Sequence, residues 1–127
     1  MKIAIGVGCR KGCASDAIVG LVRRALTNAG CEGATAALFS HEAKRFEDGL
    51  IEAASLLGLP LVFLDPQALR NAGDRTTTRS EAVMARFDLP SIAETAALAG
   101  AGAGSRLLAP RISAAGASCA IAKEFEP

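Results

Sequence analysis

Ile3-Ala4-Ile5-Gly6-Val7-Gly8-Cys9-Arg10-Lys11-Gly12, followed at Ser15-Asp16 by a segment with helical spacing, decides the architecture of this chain. A short apolar run passes into glycines and two adjacent cations. That order predicts a strand, a tight loop and a helix N-terminus in succession. Main-chain N–H groups and the positive end of a helix dipole would converge on such a loop, so it reads as an anion site. The plainer alternative is that the glycines only permit a sharp turn and close helix packing. Arg10 and Lys11 favour the anion, because adjacent cations at a helix N-terminus repel unless something negative arrives.

Working outward, residues 2–7 predict a buried strand and 15–29 its crossover helix. Ala17, Ile18, Leu21, Val22, Ala25 and Leu26 hold the i, i+3, i+4 positions, and Gly30 stops the helix. A second strand is expected over Ala34 to Phe39, a polar stretch over Ser40 to Arg45, and a helix over Phe46 to Leu57. Gly58 and Pro60 then lead into a third strand, Leu61 to Leu64. Alternation of this kind implies parallel strands flanked by helices. Further on, Asp65-Pro66 opens a short helix, Gly73 to Arg79 reads as a polar loop, and Ser80 caps a turn of helix to Phe87. Ser91 with Glu94 forms a capping-box pattern ahead of Ile92 to Ala99. Arg106 to Ala109 and Ser118 to Ala122 are strand candidates joined by too short a gap for a helical crossover, hence an antiparallel hairpin. The fold expected is a three-layer α/β/α sandwich. Its sheet is mixed and mostly parallel, of about five strands, in one domain over residues 1–127.

Composition excludes several classes of function. Half of the residues are hydrophobic, yet Trp and Tyr are absent and Phe numbers only five, so the core must be aliphatic and rich in Ala. Lys+Arg 14 against Asp+Glu 13 gives a net charge of +1. Neither a basic surplus nor stacking aromatics is present, which argues against a nucleic-acid partner. No apolar stretch reaches the ~18 residues of a membrane span, and the opening Met-Lys-Ile-Ala-Ile passes directly into a strand. The chain therefore reads as cytoplasmic, with Cys9, Cys13, Cys31 and Cys119 reduced.

Three chemistries compete for the first loop. Gly6-x-Gly8-x-x-x-Gly12 misses the dinucleotide fingerprint by one residue, and Glu42 is the nearest acid for a ribose. Without Gly-Lys-Ser/Thr there is no Walker loop. The cations and helix N-terminus beside Cys9 call for a lowered pKa, which would make it reactive; a buried, small apolar role is the preferred reading for the cysteines. The cysteine spacing matches neither a redox pair nor a metal site, so no metal or cofactor is expected. After the second strand, His41 is the candidate general base, or else a solvent-facing loop residue. Lys44 and Arg45 are candidate anion contacts. The Gly73 to Arg79 loop reads as either a flap over a ligand or a solvated connector.

The segment Gly6-Val7-Gly8-Cys9-Arg10-Lys11-Gly12 resembles the N-terminal signature of CobE proteins and of the C-terminal domain of CbiG, a family of cobalamin (vitamin B12) biosynthesis. His41-Glu42-Ala43-Lys44 through Gly49-Leu50, Ser91-Ile92-Ala93-Glu94-Thr95-Ala96-Ala97-Leu98, and Leu107 to Arg111 with Ser118 to Ala122 agree in order. Two positions depart: Cys13 stands where the family often has Thr or Ser, and Arg111 where a lysine is common. The resemblance implies a role in corrin-ring construction. Corrinoid intermediates are polyanions with an apolar macrocycle, so Gly8, Cys9, Arg10, Lys11, Gly12 and Lys44 are the expected binding residues. Arg75, Arg79 and Arg111 are possible further contacts, and other enzymes of the pathway are possible partners. A carrier or accessory factor for a precorrin is the first reading. A hydrolase opening the precorrin-5A lactone with loss of acetaldehyde is the second, with His41 as base, and a dinucleotide-binding domain the third.

Overall fold

The computed structural model describes residues 2–124. Five strands form one sheet in the order β3-β2-β1-β5-β4. β1 (Lys2–Cys9), β2 (Thr35–His41) and β3 (Leu61–Leu64) are mutually parallel. β5 (Ala117–Lys123) runs antiparallel to both β1 and β4 (Arg106–Ala114). The expected mixed sheet with a C-terminal hairpin is therefore what forms, and the hairpin's second strand lies inside the sheet.

The two faces of β1 explain its composition. Ile3, Ile5, Val7 and Cys9 project into the larger core, built with α1 (Ser15–Ala29) and α2 (Asp48–Leu57). Ala4, Gly6 and Gly8 alternate with them on the other face, where α5 (Ile92–Ala101) packs. A Cβ on Gly6 would lie 1.8 Å from the Ala93 carbonyl oxygen, so the helix rests directly on bare strand. Ala93, Ala97, Ala120 and Ala122 continue that close-packed layer. A smaller apolar cluster around Leu69, Leu89 and Ala96 seats α3 (Pro66–Asn71) and α4 (Glu81–Phe87) on the same side.

The ends of several elements differ from the sequence expectation. β2 runs on through Ser40 and His41, since the Ser40 hydroxyl donates to the Val7 carbonyl at 2.7 Å and is satisfied in full burial. A single 3-10 turn, Glu42–Lys44, follows it. α2 begins at Asp48, two residues later than expected, which leaves Phe46 on the surface. The hairpin closes much more tightly than expected. β4 continues through Pro110 and Arg111 with register shifts between Leu107 and Ile112, which an edge strand tolerates. Ala115 and Gly116 make the turn, both with positive φ (53° and 86°), as a right-twisted hairpin requires. No helix among the described residues is long and apolar enough to cross a membrane.

Candidate functional site

A cleft of about 500 Å³ opens at the rim where β1 ends. Gly8 and Cys9 from β1, Ile92 at the start of α5, and Ala117 and Ser118 from β5 line its base. One wall is the β4–β5 turn with Arg111; the other is α4, presenting Val83, Arg86 and Phe87. Gly8 keeps the base open, because a Cβ there would approach Ser118 Oγ to 2.7 Å and Ile92 Cβ to 3.4 Å.

Charge defines this cleft. Arg10, Lys11, Lys44, Arg86 and Arg111 line it, and its lining contains no Asp or Glu. Among the described residues, none of these five has a carboxylate within 4.0 Å. Lys44 is the least ordinary of them, at 8% exposure. Its ammonium lies 5.6 Å from the centre of the Phe87 ring, and Arg86 stacks on the same ring at 5.3 Å. Lys44 is thus buried with an aromatic face as its neighbour while Arg86 covers that ring from the exposed side, and a ring compensates a desolvated cation only weakly.

Of the residues singled out in the sequence, Gly8, Cys9, Arg10, Lys11 and Lys44 converge on the cleft, while Gly12 and His41 lie outside its lining. The expected cradle of main-chain amides is cut back, because three of the loop's amides are bonded within the protein. Arg10 N–H donates to the Gly116 carbonyl (2.8 Å), Gly12 N–H to Glu47 Oε1 (2.7 Å) and Cys13 N–H to the Arg10 carbonyl (3.1 Å). The loop's amides thus tie it to the hairpin turn and to the start of α2. The formal positive charge along the cleft lining is carried by side-chain cations.

His41 is not a solvent-facing residue: it is 6% exposed. Its Nδ1 accepts the Ala43 N–H at 2.9 Å, and its ring lies 4.9 Å from that of Phe87. Burial pushes its pKa down; nearby Glu42 opposes this and Lys44 adds to it. A neutral imidazole with its proton on Nε2 satisfies this geometry. Its work is to shape the turn that delivers Lys44.

Cys9, Cys31 and Cys119 take the buried role preferred for the cysteines, while the lowered pKa expected of Cys9 is reversed. Desolvation pushes the Cys9 thiol up to about 11, although the Lys44 charge pulls the other way. Burial outweighs the neighbouring cation, and Cys9 is a packed apolar residue. Cys119 is pushed up to about 12 by burial. Among the described residues no cluster of His, Cys, Asp or Glu is placed to hold a metal ion.

Two of the loop arginines are occupied elsewhere. Arg75 donates to the Ser105 carbonyl and hydroxyl at 2.6 and 2.8 Å, and Arg79 pairs with Glu81 at 2.7 Å on the surface. Nor is the Gly73 to Arg79 segment a free flap. Glu94, fully buried, accepts from Thr77 N–H (2.8 Å), Thr78 N–H (2.9 Å), the Thr77 hydroxyl (2.9 Å) and Arg111 N–H (3.0 Å). Half of the predicted capping box is present, since Ser91 Oγ accepts the Glu94 N–H at 3.1 Å. The reciprocal half is replaced by these long-range bonds. Burial acts to raise the Glu94 pKa, but the hydrogen bonds from Arg111, Thr78 and Thr77 outweigh it and hold the carboxyl below its usual range.

Sequence reasoning missed Arg86, Phe87 and Val83. A short helix ending in Arg-Phe carries no sign that it forms a wall of the cleft; the arginine reads as ordinary complementation of a helix C-terminus.

Comparison with known proteins identifies the family. Residues 3–122 match the family model described as cobalamin synthesis G C-terminus. Protein CobE of Sinorhizobium sp is 31% identical over 121 residues, spanning 94% of this chain and 79% of that protein. The crystal structure of CobE, a protein from the cobalamin (vitamin B12) biosynthetic pathway, superposes with a TM-score of 0.86 at 34% identity, over 97% of this chain and 90% of that one. The cobalamin biosynthesis protein chiG from Agrobacterium tumefaciens superposes with a TM-score of 0.71 at 36% identity, over 98% and 99%. Signature loop, sheet order and match along nearly the whole chain converge on one conclusion: this protein belongs to the CobE and CbiG C-terminal family of cobalamin biosynthesis.

Proposed function

We propose that this protein binds a polycarboxylate precorrin or corrinoid intermediate in the cationic cleft, acting as a carrier or accessory factor in corrin construction. The observation that carries this reading is a cleft lined by five cations and no acid. Such an ensemble repels itself until an anion with several arms enters. The base of Gly8, Ile92, Ala117 and Ser118 offers a small-residue surface against which the edge of an apolar ring can lie. Each exposed charge contact contributes about 0.2–1 kcal/mol, so several arms must bind together. A contact with the buried Lys44 contributes more, because a charge-assisted hydrogen bond strengthens where water is scarce.

Two observations favour binding over the alternatives. A lactone hydrolase needs a base facing the ligand, and His41 lies outside the cleft lining with Nδ1 engaged. A dinucleotide site needs free amides in the glycine loop, and those of Arg10, Gly12 and Cys13 are bonded within the protein.

Titration of the protein with cobyrinic acid, a corrin with free carboxylates, tests the proposal through the corrin absorption spectrum and calorimetry. Saturable binding that weakens steeply with salt is expected, as is a further loss in Lys44→Met and in the Arg10→Ala, Lys11→Ala double variant. Equal affinity in wild type and both variants, or no binding at low ionic strength, overturns it.

A further inference from the structure

The cleft's two walls meet at one carboxylate that does not line it. Glu94 Oε1 accepts the amides of Thr77 and Thr78, and Oε2 accepts the Thr77 hydroxyl and the Arg111 amide. The first pair fixes the strap leading to Ser80, whose side chain caps α4 and whose amide is held by Pro90. The second fixes β4 at Arg111, within the stretch where its pairing with β5 is irregular between Ala109 and Ile112. Freed from the regular ladder, that amide turns to Glu94. Ser91 holds Glu94 from below in the first turn of α5, where the helix dipole also favours a negative charge.

We infer that Glu94 is a positioning residue for ligand binding: a buried strut that sets the distance between the α4 wall and Arg111, and so the spacing of the cations across the cleft. This inference takes its functional readout from the polyanion reading above. A carboxylate is required at this place, because four donors converge on two oxygens. An amide side chain would turn an NH2 group against one of the donor pairs. Glu94→Gln therefore keeps the volume but releases either the strap or the strand.

The test has one arm without ligand and one with it. In amide hydrogen exchange, Glu94→Gln is expected to lose protection at Arg111, Thr77 or Thr78 while β1 and β5 keep theirs. Unchanged exchange at all three amides overturns the inference, as does a uniform loss across the sheet. With cobyrinic acid, Arg111→Ala and Glu94→Gln should each weaken binding about three- to fivefold, the size of one partly exposed charge contact. Their double variant should be no more than about twofold weaker than Arg111→Ala, since one acts through the other. Fully multiplicative losses overturn it. If Glu94→Gln does not fold, Glu94→Asp takes its place, retaining charge but too short to hold both walls. If the wild-type protein fails to bind cobyrinic acid, the polyanion reading falls and the exchange arm alone decides on Glu94.

Discussion

Gly6 and Gly8 lie on the same face of β1, two residues apart, and alanine is expected to have opposite consequences at each. At Gly6 the added methyl would sit 1.8 Å from Ala93 O and 2.5 Å from Ala97 N, both backbone atoms of α5. An unstrained carbon–oxygen contact needs about 3.3 Å, so the helix must retreat by roughly 1.5 Å. That movement opens the layer in which Ala93, Ala97 and Leu98 are fully buried. Overpacking costs about 1–3 kcal/mol and more where backbone must yield, so about 3 kcal/mol is the expected loss for Gly6→Ala. Set against a total stability of about 5–15 kcal/mol, this lowers the melting temperature by about 10 °C. At Gly8 the methyl would meet Ser118 Oγ at 2.7 Å, an atom that can rotate away, and Ile92 Cβ at 3.4 Å. Gly8→Ala should stay within about 1 kcal/mol of wild type, while narrowing the base of the cleft and weakening cobyrinic acid binding. Urea unfolding of both variants, monitored by far-ultraviolet circular dichroism, measures the difference. Near-wild-type stability of Gly6→Ala, or equal destabilisation by the two, would refute the account of how α5 is seated.

The remaining predictions concern charge and local strain. With its thiol pushed up to about 11, Cys9 presents about one thiolate in a thousand at pH 8 and should resist alkylation in the native state; rapid labelling measured by mass spectrometry would contradict its burial. Because its folded pKa is raised, Cys9 contributes stability that is complete below the unfolded value, roughly 8.5, and is lost as pH rises toward about 11. Glu94 behaves oppositely: its depressed folded pKa contributes stability above the unfolded value, roughly 4.3, and loses it as pH falls further. Glu94→Gln should flatten that acid limb in urea titrations at stepped pH; an unchanged limb would assign it to other carboxylates. Ala115, at φ 53°, pays the steric cost of the left-handed region. Ala115→Asn should raise stability by about 0.5–1 kcal/mol, and a loss in thermal melts would mean the turn is held by something other than local preference.

What the sequence could reveal followed the reach of each signal. Periodicity defined α1 at both ends, and the glycine signature with alternating elements gave the parallel half of the sheet. The misreadings fall where a polar side chain finds its partner far along the chain. Ser40 and His41 read as loop because polarity suggests solvent, yet one bonds Val7 across the sheet and the other caps its own turn. Glu94 read as a local capping residue because a four-residue pattern is visible and a bond to Arg111 is not. The strand expected to end at Ala109 runs on through Pro110, because on an edge strand the ladder donor that proline lacks is dispensable. For the site, signature residues brought Arg10, Lys11 and Lys44 into view; only the topology adds Arg86 and Phe87.

The placement of β5 between β1 and β4 has a consequence for biogenesis. While a ribosome is still delivering α5, β1 has its parallel neighbour β2 on one side and an open row of amides and carbonyls on the other. Only when residues 117–123 emerge can that central position be filled. Until then the nascent polypeptide offers a sticky edge to any extended segment nearby, its own or another's. The pocket-bearing rim is thus among the last parts to be assembled, and a stalled or prematurely released product should be recognised by chaperones as unfinished.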